Sequence, residues 1–260
     1  FQLNEILAIM ITSFIAFVIG YVDDRKVIGG WSKTIALVFA SLPILVLGTY
    51  DSNLFFPLFG SVKIPVLYIG LVVFMIPITG NTINSIDVLN GVASGFMIIA
   101  SFSLSIALFI LQNYEMAIVS LPLGFVSLAF YKYHKIPSKI FPGDSGALTL
   151  GAMYGAIAIV GHVEIIAAIA LLPAIINSFL FLSSMKRIVE HRQIKGKPVD
   201  HTEDFRLQAT SDKTAPITLV RLILAAGPLS EKQVGFAIFK LAIFSGILAV
   251  ITAFMMRVPI

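Results

Sequence analysis

Apolar runs long enough to cross a bilayer recur along this chain, and they constrain its fold more than any other feature. Inside hydrocarbon there is no water to satisfy backbone N–H and C=O groups, so runs of about 17–25 residues must close their own hydrogen bonds as helices. Eight such runs are read here, over 3–22, 34–49, 65–79, 95–111, 116–131, 147–161, 165–185 and 236–256. Only 12% of the 260 residues are charged, against roughly a quarter in a soluble domain. That is too little charge to coat a globule in water. The absence of cysteine excludes a disulfide scaffold, and 58% hydrophobic residues exclude disorder. The prediction is an all-α, polytopic transmembrane helical bundle with a cytoplasmic loop region.

The charges then set the topology. Fifteen of the eighteen Lys and Arg fall in the loops after the first, fifth and seventh runs, whereas the alternate loops contain only Lys63. By the positive-inside rule the basic side is cytoplasmic and both termini lie outside. The net charge of +4 is thus read as membrane sidedness, and no nucleic-acid partner is expected. The first residue is Phe1 and no signal peptide precedes the first run, so the chain is expected to start inside a longer protein that lacks two N-terminal helices here. Residues 1–260 read as a single transmembrane domain. Within it, 186–235 form a cytoplasmic loop region and, over 215–229 around Arg221 and Gly227-Pro228, a re-entrant or interfacial helix.

Acids at the edge of a lipid span are costly, and three clusters occur on the cytoplasmic side. Asp23-Asp24 ends the first run; holding adjacent carboxylates together suits a cation or a proton-transfer role, and the plain alternative is a loop cap neutralised by Arg25 and Lys26. Lys33 can reach the same pocket, or simply snorkel. After the third run, Asn81, Asn84, Asp87 and Asn90 recur at every third residue and end on Gly91. One helix face cannot hold all four, but a helix end that tightens or breaks can aim them into one cavity. Their oxygens suit a hard cation such as Mg²⁺, the alternative being helix caps. Before the sixth run stands Phe141-Pro142-Gly143-Asp144-Ser145-Gly146. Here Asp144 is a ligand or an N-cap, the helix start offers N–H groups to phosphate, and Phe141 is a stacking ring or an interfacial aromatic. His191 and Arg192 lie in the long loop beside Lys195 and Lys197, where positive-inside bias alone explains the lysines. His134 and His162 read as interfacial residues, and 200–204 as a solvated loop.

In order and on one membrane side, Asp-Asp, Asn-x-x-Asn-x-x-Asp and Gly-Asp-x-Gly resemble the polyprenyl-phosphate N-acetylhexosamine-1-phosphate transferases, glycosyltransferase family 4. Phe141-x-Gly-Asp144, Lys33 nine residues after Asp24, the His191-Arg192 pair and the late Gly227-Pro228 are closest to its archaeal and eukaryotic branch, which makes GlcNAc-diphospho-dolichol. The resemblance implies transfer of GlcNAc-1-phosphate from UDP-GlcNAc to a polyprenyl or dolichyl phosphate, with release of UMP, as the first step of lipid-linked oligosaccharide assembly for protein N-glycosylation. It implies Mg²⁺, or Mn²⁺ in its place, on Asn84 and Asp144. Asp23, Asp24 and Lys33 would be catalytic. Asn81, Asp87, Asn90, Phe141, His191 and Arg192 would bind substrate, with Asn90 and Phe141 holding the uracil. The family usually has ten spans and often forms homodimers; the active site is cytoplasmic, in the plasma membrane of an archaeon or the endoplasmic reticulum of a eukaryote.

Two other readings compete. The same chemistry serves bacterial-type cell-envelope polysaccharide or peptidoglycan precursors, though the histidine-rich signature of those enzymes is not found cleanly in the last loop. An ion-coupled secondary transporter would carry its acids near the midplane, on broken helices in repeated halves. The acids here sit at span ends and no repeat is seen, which favours an enzyme.

Overall fold

A computed structural model of the chain describes residues 3–185 and 196–257. Helix α1 (Leu3–Arg25) leads into two short helices, α2 (Gly30–Phe39) and α3 (Leu42–Val46), and then an antiparallel hairpin of β1 (Asn53–Phe56) and β2 (Gly60–Lys63). Four long helices follow: α4 (Pro65–Ile86), α5 (Val92–Ile110), α6 (Tyr114–His134) and α7 (Gly143–Val160). Next come α8 (Glu164–Ala170) and α9 (Leu172–Met185), then a second hairpin of β3 (Val199–His201) and β4 (Leu207–Ala209). The chain closes with α10 (Leu219–Ile223), a 3₁₀ turn over Leu224–Ala226, and α11 (Glu231–Arg257).

The all-α membrane architecture expected from the apolar runs is what the described residues adopt. Six helices are long and apolar enough to span a bilayer: α1, α4, α5, α6, α7 and α11. The pair α8–α9, bent by 74°, makes a seventh when taken as one span. The expected span over 34–49 is different. The chain breaks between α2 and α3, and from Gly30 to Val46 its reach is about 25 Å at 1.5 Å per residue, short of a hydrocarbon core of about 30 Å. Pro43, without an N–H to donate, sits in the first turn of α3 just after the break. The interfacial segment expected over 215–229 forms only the single turn of α10 and the 3₁₀ turn, which stops where Gly227 adopts φ 138°.

Lipid offers no hydrophobic drive between helices, so their approach depends on small residues. Helix α1 packs on α7, α4 on α7, and α5 on both α6 and α11. At the α4–α7 crossing a Cβ on Gly151 would stand 2.7 Å from Gly80 Cα. At the α1–α7 crossing a Cβ on Gly20 would meet the Asp144 carbonyl and Ser145 Cα at 2.5 Å. The outward faces of the spans carry exposed Phe14, Leu67, Phe74, Phe125 and Phe244, a surface suited to acyl chains. At one end of the bundle Tyr68 donates its hydroxyl hydrogen to buried Glu164, and Tyr50 stacks on Tyr68 with ring centroids 6.0 Å apart. The opposite end, where α1, α4 and α6 finish and α2, α5, α7 and α11 begin, gathers the polar residues singled out above.

Candidate active site

Lys33 is the centre of that polar end. It is 2% exposed, and a cation so buried persists only with partners. Its Nζ lies 2.8 Å from Asp23 Oδ2 and 3.3 Å from Asp144 Oδ1. Asp144 Oδ1 also accepts the Asn84 amide hydrogen at 2.5 Å, while Asp23 Oδ1 accepts the Ile28 backbone N–H at 2.5 Å. Four elements thereby meet: the end of α1, the start of α2, the end of α4 and the start of α7. The two members of the Asp-Asp pair do different work. Asp23 is 1% exposed and faces Lys33. Asp24 turns to α7 and accepts the backbone N–H of Asp144 at 2.8 Å and of Ser145 at 3.0 Å. The N-terminus of α7 is therefore capped from another helix, and Asp144 is released from the capping role that its position alone suggested. Gly143 has φ 64°, and any Cβ there would press on the Asp24 carboxylate at 2.9 Å.

Helix α4 runs through Asn81 and Asn84, beyond the predicted limit at 79. Asp87 is its C-cap and Asn90 lies in the turn before α5. The breaking helix end expected from the three-residue polar repeat is thus present, and it separates the four residues. Asn84 meets Asp144. Asn81 donates to the Pro77 carbonyl at 2.9 Å and to Thr34 Oγ1 at 3.5 Å. The Asp87 side chain is 7% exposed, and its Oδ1 lies 3.5 Å from His134 Nε2. Burial first, and then the charge of Asp144, push the Asp87 carboxyl up to about 7. Asn90 donates both its backbone N–H, at 2.7 Å, and its amide Nδ2, at 3.1 Å, to the carboxylate of Glu231.

His134 is a correction: it is fully buried rather than interfacial. Its Nδ1 lies 2.9 Å from Ser94 Oγ, and the half-exposed ring of Phe141 meets it edge-on at 5.0 Å. Among the described residues neither Asp87 Oδ1 nor His134 Nε2 has a hydrogen-bond partner. His191 and Arg192 lie outside the described residues.

The roles of three residues of this end escaped sequence reasoning. Glu231 was hidden as an ordinary acid in the first turn of α11. Asn177 is 3% exposed inside α9; it donates to the Ser85 carbonyl at 3.0 Å and accepts the Leu219 N–H at 2.9 Å, so it ties the end of α4 to the start of α10. A lone amide in an apolar run was its available signal. Arg221 donates to the carbonyls of Thr210, Asp212, Ala215 and Pro216, and so holds that segment in one arch. Beside Lys33 and Asn84 opens a cavity of about 260 Å³ between α2, α4 and α9, apolar at Phe74, Ile78, Phe181 and Leu182.

This end of the molecule combines a charged, hydrogen-bonded floor with an adjoining apolar groove, an arrangement able to hold phosphate groups against a lipid chain. Residues 6–162 match the pattern described as glycosyl transferase family 4. A protein of Saccharolobus solfataricus with the provisional name UDP-N-acetylglucosamine–dolichyl-phosphate N-acetylglucosaminephosphotransferase is 26% identical over 247 residues, 94% of this chain and 74% of the relative. A provisionally named glycosyltransferase of Methanocaldococcus jannaschii is 30% identical over 240 residues, 91% of this chain and 73% of its own. A phospho-N-acetylmuramoyl-pentapeptide-transferase of Clostridium botulinum is 31% identical over 164 residues, 58% of this chain and 51% of its own.

Proposed function

The chain belongs to glycosyl transferase family 4, and from that membership we propose that it transfers GlcNAc-1-phosphate from UDP-GlcNAc to dolichyl phosphate within a membrane, releasing UMP. The observation that carries this reading is the convergence of the three ordered motifs on Lys33, through Asp23, Asp144 and Asn84. The Saccharolobus solfataricus relative, whose name includes dolichyl phosphate, supports that acceptor, because it aligns over 94% of the chain. The peptidoglycan-precursor enzyme aligns over little more than half.

An oxygen of the lipid phosphate attacks the β-phosphorus of UDP-GlcNAc. The new P–O bond forms as the bond to the α-phosphate oxygen breaks, and UMP leaves with that oxygen. There is little covalent chemistry for side chains to supply, so positioning and charge account for most of the rate. Lys33, held between Asp23 and Asp144, presents an ammonium to the phosphates. Asp24 fixes the start of α7 and with it the position of the Asp144 carboxylate. Asp87, Asn90 and Phe141 line the nucleotide side, and the groove from Phe74 to Leu182 takes the first isoprene units.

Asn84 and Asp144 would hold Mg²⁺, or Mn²⁺ in its place, and the ion when bound supplies charge compensation to the diphosphate. Their donor set fits a hard cation. Among the described residues no three carboxylates or imidazoles converge, and Mg²⁺ characteristically takes one or two protein oxygens and completes its shell with phosphate and water. The site would face the cytoplasm, across the plasma membrane of an archaeal cell.

The test is to incubate membranes containing the protein with a panel of UDP-sugars, dolichyl and polyprenyl phosphates and Mg²⁺. UMP together with a lipid-linked GlcNAc is expected. No product with any pair would revive the ion-coupled transporter reading.

A further inference from the structure

The Asn90–Glu231 contact carries chemistry beyond a tie between helices. A carboxylate has no hydrogen to give, so both groups that face it from Asn90 must be donors: the backbone N–H at 2.7 Å and the amide nitrogen at 3.1 Å. The carboxamide is therefore locked in one of its two orientations. Its remaining polar atom is Oδ1, an acceptor, to which the described residues give no hydrogen bond. Gly91, the next residue, packs against the backbone of His134 and Lys135. His134 in turn carries the half-exposed ring of Phe141 edge-on at 5.0 Å. A flat ring that stacks on Phe141 and reaches the Asn90 oxygen must bring a donor to it.

We propose that Glu231 is a specificity-determining positioning residue: by fixing the Asn90 carboxamide with its oxygen unspent, it admits uracil, whose N3 carries a hydrogen, and refuses cytosine, whose N3 is an acceptor. This rests on the transferase reading above, because it needs the nucleotide to lie beside Asn90. Sites that hydrogen-bond one edge of a substrate discriminate strongly, since the wrong partner leaves a buried group unpaired or faces it with a like dipole. Glu231 touches neither base nor reacting atoms. It acts through Asn90.

The experiment measures inhibition by UMP and by CMP of UMP release from radiolabelled UDP-GlcNAc, in membranes containing the protein or its Glu231→Gln variant. Glutamine offers one acceptor and one donor, so it can keep the Asn90 backbone N–H while turning the carboxamide over. The parent is expected to prefer UMP to CMP by at least a hundredfold. In Glu231→Gln that ratio should fall at least tenfold, with an unchanged KM for dolichyl phosphate. A merely structural contact would weaken both nucleotides alike and leave the ratio where it was. An unchanged ratio in an active variant overturns the inference and leaves the transferase reading standing. Failure of the parent to release UMP overturns both. If Glu231→Gln does not accumulate in membranes, Glu231→Ala, which unlocks the amide without reversing it, is read in the same way: a reduced ratio supports the assignment and an unchanged one rejects it.

Discussion

Asp24 Oδ1 accepts the backbone N–H of Asp144 at 2.8 Å, across 120 positions of sequence. The contact makes the second carboxylate of the Asp-Asp pair a helix cap for the segment that carries the acid of the centre. Asp24→Ala should cost about 1 kcal/mol of stability, the usual loss of a good N-cap. UMP release should fall by a much larger factor than this loss explains, because the start of α7 that places Asp144 loses its anchor on α1. Thermal unfolding in detergent and UMP release, measured on the same preparation, separate the two. Equal and small losses in both would contradict the positioning role.

Lys33 sits between two buried carboxylates, so its removal leaves them uncompensated. Lys33→Met should destabilise the protein by about 3–5 kcal/mol, as breaking one side of a buried ion pair does. Adding Asp23→Asn should recover most of that stability without recovering UMP release. Melting temperatures of the single and double variants give the answer. If the double variant melts no higher than the single, Asp23 is not the partner that stabilises Lys33.

The Asp87 carboxyl, raised from 3.8 to about 7, predicts a pH dependence with a definite sign. The folded state keeps a proton that the unfolded chain releases, so stability falls as pH rises from about 4 to about 7 and is flat above. Asp87→Asn removes that loss. Its apparent melting temperature in EDTA should exceed the parent's at pH 8, by an amount reflecting a few kcal/mol at most, and should converge with it near pH 4. A constant offset at all pH values would show that Asp87 does not titrate in this window.

Gly20 allows α1 to lie directly on the backbone of Asp144 and Ser145. Gly20→Ala forces a methyl into that contact and should cost about 1–3 kcal/mol through overpacking. It should also impair UMP release, although residue 20 brings no side chain to the site. Gly70→Ala, inside α4 where a Cβ meets nothing within 4 Å, is the control and should lower neither quantity.

The parts of this molecule visible in its sequence are those governed by solvent. Apolar run length reported the spans, and the Lys and Arg distribution predicted a single polar end, where Asp23, Lys33, Asn84 and Asp144 do meet. What stayed hidden depends on pairing between distant segments. The division of labour between Asp23 and Asp24 follows from where α7 begins. Glu231 acquires its role only when α11 is set against the turn before α5. His134 looked interfacial because nothing local announces that Ser94 and Phe141 will enclose it. The break between α2 and α3 was masked by a run whose composition fits an unbroken span, and the long reach of α4 by Asn81 and Asn84, whose polarity ends an apolar run before it ends a helix.

The central claim is that the carboxylate of Asp144, bonded to Asn84 and Lys33, holds the metal of a phosphate-transfer centre, and substituting it tests that claim most directly. UMP release from UDP-GlcNAc, with dolichyl phosphate and Mg²⁺, should be lost in Asp144→Asn while the protein remains in the membrane at parental levels. Near-normal release by that variant would contradict the account.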